Sequence, residues 1–112
     1  MIEALTNAFT GVADPTRIRL LSLLAHRSEI CVCDLVEATG IPQTSVSRHL
    51  ATLRNAGLVT SRKDGLWVYY SIKKPEQPFE RAIIKSVREA VEESPELQRD
   101  LKRLSKSACS TS

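Results

Sequence analysis

A chain of 112 residues, 42% hydrophobic and 26% charged, fits one domain around one modest core, and it holds no apolar run long enough to span a membrane. The formal net charge of +3 permits a nucleic-acid partner without demanding one, so that case must rest on where the charges sit. Aromatic residues at 4% disfavour a single-strand binder that stacks bases, and residues 1–10 lack the basic stretch and apolar run of a secretory signal.

Leu5, Ala8, Phe9 and Val12 recur at helical spacing and predict a short amphipathic helix over residues 3–10. Asp14-Pro15-Thr16 starts the next helix, with Asp14 as cap and Pro15 in the first helical position. Ile18, Leu20, Leu21, Leu23 and Leu24 make that helix apolar around much of its circumference, so it belongs near the centre of the core. His26 follows it as a surface or C-terminal dipole partner. Residues 30–39 form the next unit, with Val32, Leu35 and Val36 on one face and Gly40 as its stop. Beyond Ile41-Pro42 a third helix spans 43–56, with Val46, Leu50 and Leu53 facing inward, and Gly57 ends it.

The period then changes from helix to strand. Residues 59–63 and 66–72 are β-rich runs joined by Asp64-Gly65, which favours a two-residue type I′ hairpin turn. After Pro75 and Pro78, residues 79–93 return to helical spacing, and Leu97, Leu101 and Leu104 beyond Pro95 predict a last short helix with its docking left open. The division expected is a domain over 1–93, followed by a short helix and a loose serine-rich tail over 94–112.

Helix, tight turn, helix and hairpin, in that order, make a winged helix-turn-helix: mainly α with a small β-hairpin. The second helix of the pair is the candidate recognition helix. Opposite its apolar face it presents Thr44, Arg48, Ala51 and Thr52, with Gln43, Ser45 and Ser47 near its N-terminal flank. Arg reads guanine, Gln reads adenine, and small side chains meet thymine methyls in a major groove. A solvated polar face is the plain alternative, but such faces commonly carry Glu, Asp and Lys, which are missing between 43 and 53. Arg62 and Lys63 flank the hairpin tip, positioned for phosphate or minor-groove contact, and Arg54 and Arg17 are further backbone candidates or plain surface charges. His49 sits at the edge of the core face, where a packed, hydrogen-bonded histidine is expected. One such helix reads few base pairs, and Leu5, Phe9, Phe79, Ile83 and Val87 exceed what a small winged domain must bury alone. A homodimer paired through those residues, on an inverted repeat of double-stranded DNA, is therefore expected.

Cys31-Val32-Cys33 stands directly before the helix-turn-helix. Thiolates bind soft metals and metalloids, and a helix N-terminus favours the ligating form, whereas buried cysteines can also be small hydrophobes. An odd number of cysteines without a disulfide framework suits a reducing cytoplasm. Residues i and i+2 lie on opposite sides of a regular helix, so both sulfurs can reach one ion only if the segment is already non-helical or unwinds on binding. Cys-x-x-Cys, a phosphate-cradling glycine loop and a convincing nucleophile–base pair are all missing, so an enzyme is not expected.

Taken together, Ala13-Asp14-Pro15-Thr16-Arg17, Cys31-Val32-Cys33-Asp34-Leu35, Ser47-Arg48-His49-Leu50, Ala56-Gly57-Leu58-Val59 and Arg62-Lys63-Asp64-Gly65 leading to Trp67-Val68-Tyr69-Tyr70 resemble the ArsR/SmtB family of bacterial metal-responsive repressors, over roughly residues 4–93. The resemblance implies a cytoplasmic, dimeric winged-helix repressor that holds its operator when empty and releases it on binding a metal or metalloid ion. It implies trivalent arsenic or antimony as inducer, with Cys31 and Cys33 as ligands. The arsenical site of the family has a third cysteine where Val36 stands here, which leaves hydroxide, a methyl group on the arsenic, or Cys109 as the third partner. Cadmium or lead bound by Cys31, Cys33 and Cys109 is the alternative, as is a thiol-redox switch. The histidine-containing zinc and nickel site of other members is not matched, since residues 79–93 hold no histidine.

Overall fold

The computed structural model describes residues 1–106. Helix α1 (Ile2–Val12) leads into α2 (Pro15–Ala25), where Asp14 caps the helix by accepting a hydrogen bond from the Arg17 backbone N–H at 3.1 Å and Pro15 occupies the first turn. Leu20, Leu21, Ser22, Leu23 and Leu24 of α2 are all buried, as its apolar circumference predicts. A short strand β1 (Ile30–Cys31) precedes α3 (Val32–Thr39), which closes on Gly40. There the backbone turns left-handed, at φ +72°, and the Gly40 N–H returns to the Val36 carbonyl at 2.8 Å. Helix α4 (Gln43–Asn55) packs Val46, Leu50 and Leu53, none of them exposed, against the core.

The wing is β2 (Val59–Asp64) and β3 (Trp67–Ile72), and the sheet order is β1-β3-β2, antiparallel throughout. Two details differ from the sequence expectation. Residues 30–31 are strand, not helix, with Ile30 opposite Tyr70 and Cys31 opposite Tyr69. A two-residue strand carries too little periodicity to show, and its partner lies far along the chain. The hairpin loop is also shifted: Asp64 pairs with Trp67, so the turn residues are Gly65 and Leu66. Only Gly65 has positive φ, at +62°, so this is the II′ arrangement with glycine first and not type I′.

Helix α5 (Pro78–Ala90) starts on a capping box in which Glu80 Oε1 accepts the Gln77 N–H at 2.9 Å, and Ile83, Ile84 and Val87 are buried. A 3-10 turn (Val91–Glu93) ends it, and α6 (Pro95–Lys106) follows. The docking of α6, left open by the sequence, runs across α2 and α3. Leu97 and Leu104 are buried, and Asp100 accepts two hydrogen bonds from Arg19, at 2.8 and 2.9 Å. At the other end of the core α1 lies flush on α4, because a Cβ at Gly11 would stand 2.7 Å from the Ala56 Cβ. None of the described helices is long and apolar enough to cross a membrane.

Candidate nucleic-acid interface and thiol site

Helix α4 exposes Gln43, Thr44, Ser47 and Arg48 on the side away from the core, with Ser45, Ala51 and Thr52 partly covered. No side chain caps its N-terminus and its first turn carries no acidic residue, so that end keeps its positive dipole. Thr52 bends its hydroxyl back to the Arg48 carbonyl at 3.2 Å. Lys63 is exposed on β2. Arg62 is exposed as well, yet engaged: Nε and Nη2 donate to both Glu29 carboxylate oxygens at 2.9 and 2.7 Å, and its guanidinium lies 4.6 Å over the Tyr69 ring. The arginine holds the Glu29 carboxyl below its ordinary range, and the carboxylate pushes Arg62 further up.

The two further arginines named from sequence turn to internal contacts. Arg17 donates from Nε to the Gly11 carbonyl at 2.6 Å and places Nη1 3.2 Å from His49 Nδ1. Arginine only donates, so Nδ1 accepts and the ring proton sits on Nε2. Asp14 lies farther from that nitrogen, at 3.9 Å. His49 is thus the packed, hydrogen-bonded histidine its position predicts. Arg54 reaches Ser61 Oγ and Tyr70 Oη, both at 3.3 Å, and ties the end of the recognition helix to the wing.

The cysteine pair shows which of its two geometries holds. Cys31 is extended (φ −68°, ψ 143°) as the last residue of β1 and the cap of α3, while Cys33 sits in the first turn. The change from strand to helix between them brings the sulfurs to one side, 2.8 Å apart. Cys31 is buried and Cys33 partly so. Val36, at the position of the third family cysteine, packs against the core, and Cys109 lies outside the described residues. Among the described residues no group of three or more His, Cys, Asp or Glu is arranged to hold a metal ion. Cys31 and Cys33 line a cavity of about 350 Å³ whose other walls include Gln43 and Ser47 of α4 and Leu66, Trp67 and Tyr70 of the wing. Sequence reasoning missed Glu29, Leu66 and Trp67. The signal available for the last two was an apolar pair at a hairpin tip, where polar residues are the rule.

Of the residues expected to pair two copies, Phe9 is half-exposed and Leu5 and Phe79 are partly covered, while Ile83 and Val87 lie within the chain's own core. Phe9, Val12, Ile83 and Val87 border one hollow of about 230 Å³ between α1 and α5. Met1 and Ile2 extend the exposed apolar edge of α1.

A helix-turn-helix with an attached hairpin and an uncapped recognition helix defines a winged-helix regulatory domain. The chain matches the description "Bacterial regulatory protein, arsR family" over residues 14–61, and it belongs to that family. It is 41% identical over 85 residues to the arsenic resistance transcriptional regulator ArsR1 of Pseudomonas putida, covering 76% of this chain and 66% of that protein. It is 47% identical over 64 residues to the arsenical resistance operon repressor of Escherichia coli, covering 57% of this chain and 55% of that one. The chain thus spans about half to two thirds of the length of these two relatives. Among solved structures, the transcriptional regulator HlyU of Vibrio vulnificus superposes with a TM-score of 0.63 at 32% identity, over 75% of this chain and 83% of that one.

Proposed function

We propose that this chain is a cytoplasmic transcriptional repressor that binds double-stranded operator DNA as a homodimer on an inverted repeat and releases it when trivalent arsenic or antimony binds the thiolates of Cys31 and Cys33. The observation that carries this reading is the shared cavity: Cys31 and Cys33 line the same hollow as the first turns of the recognition helix and the start of β3. The names of the P. putida and E. coli relatives support the ligand class. Arg48 reads guanine and Gln43 adenine, Thr44, Ser45, Ser47 and Thr52 line the groove, and Lys63 with Arg62 meets phosphate beside the wing. Leu5, Phe9 and Phe79 pair across the two-fold, over a floor formed by Ile83 and Val87.

The release step follows from spacing. Two sulfurs each about 2.3 Å from a tetrahedral zinc ion stand about 3.8 Å apart, and on pyramidal, three-bonded arsenic they stand somewhat closer. The observed 2.8 Å must therefore widen. Cys31 is held by its pairing with Tyr69, so the displacement falls on Cys33 and the first turn of α3, which faces α4 across the cavity. Binding energy is thereby set against the DNA-fitting arrangement, and linkage makes the effect reciprocal. The third bond of the ion is left to hydroxide, a carbon substituent or Cys109.

The test is operator binding by fluorescence anisotropy with the chain kept reduced by a phosphine. Arsenite and antimonite release the operator from the parent chain, and Cys31→Ser and Cys33→Ser hold it at the same concentrations. Release that persists in both variants sinks the proposal. Stronger release by cadmium or lead, or peroxide-driven release after metal removal, replaces the ligand assigned here.

A further inference from the structure

The tip of the wing is apolar, where hairpin tips are usually polar. Gly65 and Leu66 are its two turn residues, and Gly65 has no side chain, so Leu66 alone crowns the tip. Leu66 is 97% exposed, and Trp67 beside it is 47% exposed. Single exposed leucines are ordinary on a protein surface. This one takes a turn position that Gly, Asn, Asp and Ser favour, and at that exposure it adds almost nothing to the core. Its surroundings say what covers it. The strand behind the tip is basic, with Lys63 and Arg62 both exposed on β2, and Asp64, the one carboxylate of the tip, lies 3.9 Å from Arg62 Nη1. Leu66 borders the same hollow as Gln43 and Ser47, so the tip opens on the same side of the domain as the reading end of α4.

We propose that Leu66 is an apolar wedge, which the wing inserts into the minor groove of bound double-stranded DNA between the base pairs of a pyrimidine–purine step. The inference rests on the DNA-binding reading above and on nothing about the cysteines. An apolar blade on a cationic strand is complementary to that groove, whose rims are phosphates and whose floor is stacked bases. The groove is about 6 Å wide, and one aliphatic side chain at the apex is narrow enough to enter it. Leucine offers no donor or acceptor, so it distinguishes sequences only by how readily a base step opens. Pyrimidine–purine steps unstack most easily. The wing thus adds specificity at a step that α4 does not touch, and the inserted side chain bends the duplex toward its major groove.

The full chain and Leu66→Ala are each used to select duplexes from a random-sequence pool, and the selected duplex is labelled with a dye at each end to read bending by energy transfer. Leu66→Ala alters a side chain that is already 97% exposed, so the variant folds as the parent does. The parent is expected to enrich a TA or CA step at one fixed distance outside the bases that face α4, and to bend the duplex. Replacing that step with an A-tract should weaken parent binding about ten-fold and Leu66→Ala binding less than about two-fold. Leu66→Met keeps an apolar wedge and should restore both the preference and the bend. The same step preference and bend in Leu66→Ala, or a loss of affinity equal on both duplexes, overturns the inference and leaves DNA binding standing. An effect of Leu66→Ala on self-association of the free chain alone, read by sedimentation, assigns the tip to a second copy and also overturns it. Selection of no duplex by the parent overturns the inference together with the DNA-binding reading.

Discussion

Arg19 and Arg62 each hold a carboxylate through paired hydrogen bonds, one under α6 and the other beside the wing. Asp100 is 2% exposed at its side chain and Arg19 18%, and a third donation from Arg19, to the Thr39 carbonyl, locks the guanidinium between α2 and α3. Glu29 and Arg62 are 34% and 52% exposed, and water reaches both. The same chemistry therefore does two jobs. Around Asp100 a lost partner leaves a charge stranded away from solvent, so α6 stays docked. At the wing a phosphate would offer Arg62 the same two-oxygen geometry as Glu29, so the proposed DNA contact needs only an exchange of partners where water reaches both groups.

The largest expected break in this comparison is Arg19→Ala, which strands Asp100. It should lower stability by about 3–5 kcal/mol in urea denaturation, while replacing both partners with apolar residues of like volume recovers most of the loss. A small effect from the single variant would show that the pair is not desolvated.

A carboxylate of intermediate cover sharpens the scale. Asp14 is held below its ordinary range first by the Arg17 backbone N–H it caps and then by the nearby Arg17 charge. Its folded pKa is depressed, so its contribution is present above the unfolded value of 3.8 and fades as pH falls through the lower folded value. Asp14→Ala should cost about 1 kcal/mol at neutral pH. The difference from the parent should shrink steadily below that unfolded value, and a gap independent of pH would assign the effect to packing.

The smallest effect on folding belongs to Glu29→Gln, whose denaturation midpoint should match the parent. Operator binding is where it shows: with no carboxylate for Arg62 to leave, affinity should rise while the slope of log affinity against log salt stays that of the parent. A slope steeper by about 0.9 would mean that Arg62 stays on Glu29 in the parent complex and meets phosphate only in the variant.

These contrasts also mark what a sequence can carry. Asp14-Pro15, Gly40 and the inward row Val46, Leu50, Leu53 act within one turn of the chain, and each was legible. So was the family of the chain, through its run of local motifs. What escaped depends on partners far away. β1 exists because Ile30 and Cys31 meet Tyr70 and Tyr69, and Arg17 turns inward because Gly11 and His49 receive it. The hairpin loop moved by one residue because the pairing of Asp64 with Trp67 outweighed the local preference of Asp64-Gly65. The cysteines were legible as a pair, but not as one wall of a cavity, since the other walls come from residues 43–47 and 66–70.

Gly11 has a consequence for the geometry of reading. It lets α1, which carries Phe9, rest directly on the end of the recognition helix at Ala56. Any side chain there would act as a shim and tilt one helix against the other. In a pair joined through α1, that tilt would be transmitted to both reading heads in opposite senses. The pitch of the two heads would then no longer match the repeat of the double helix, although every base-facing residue remained in place.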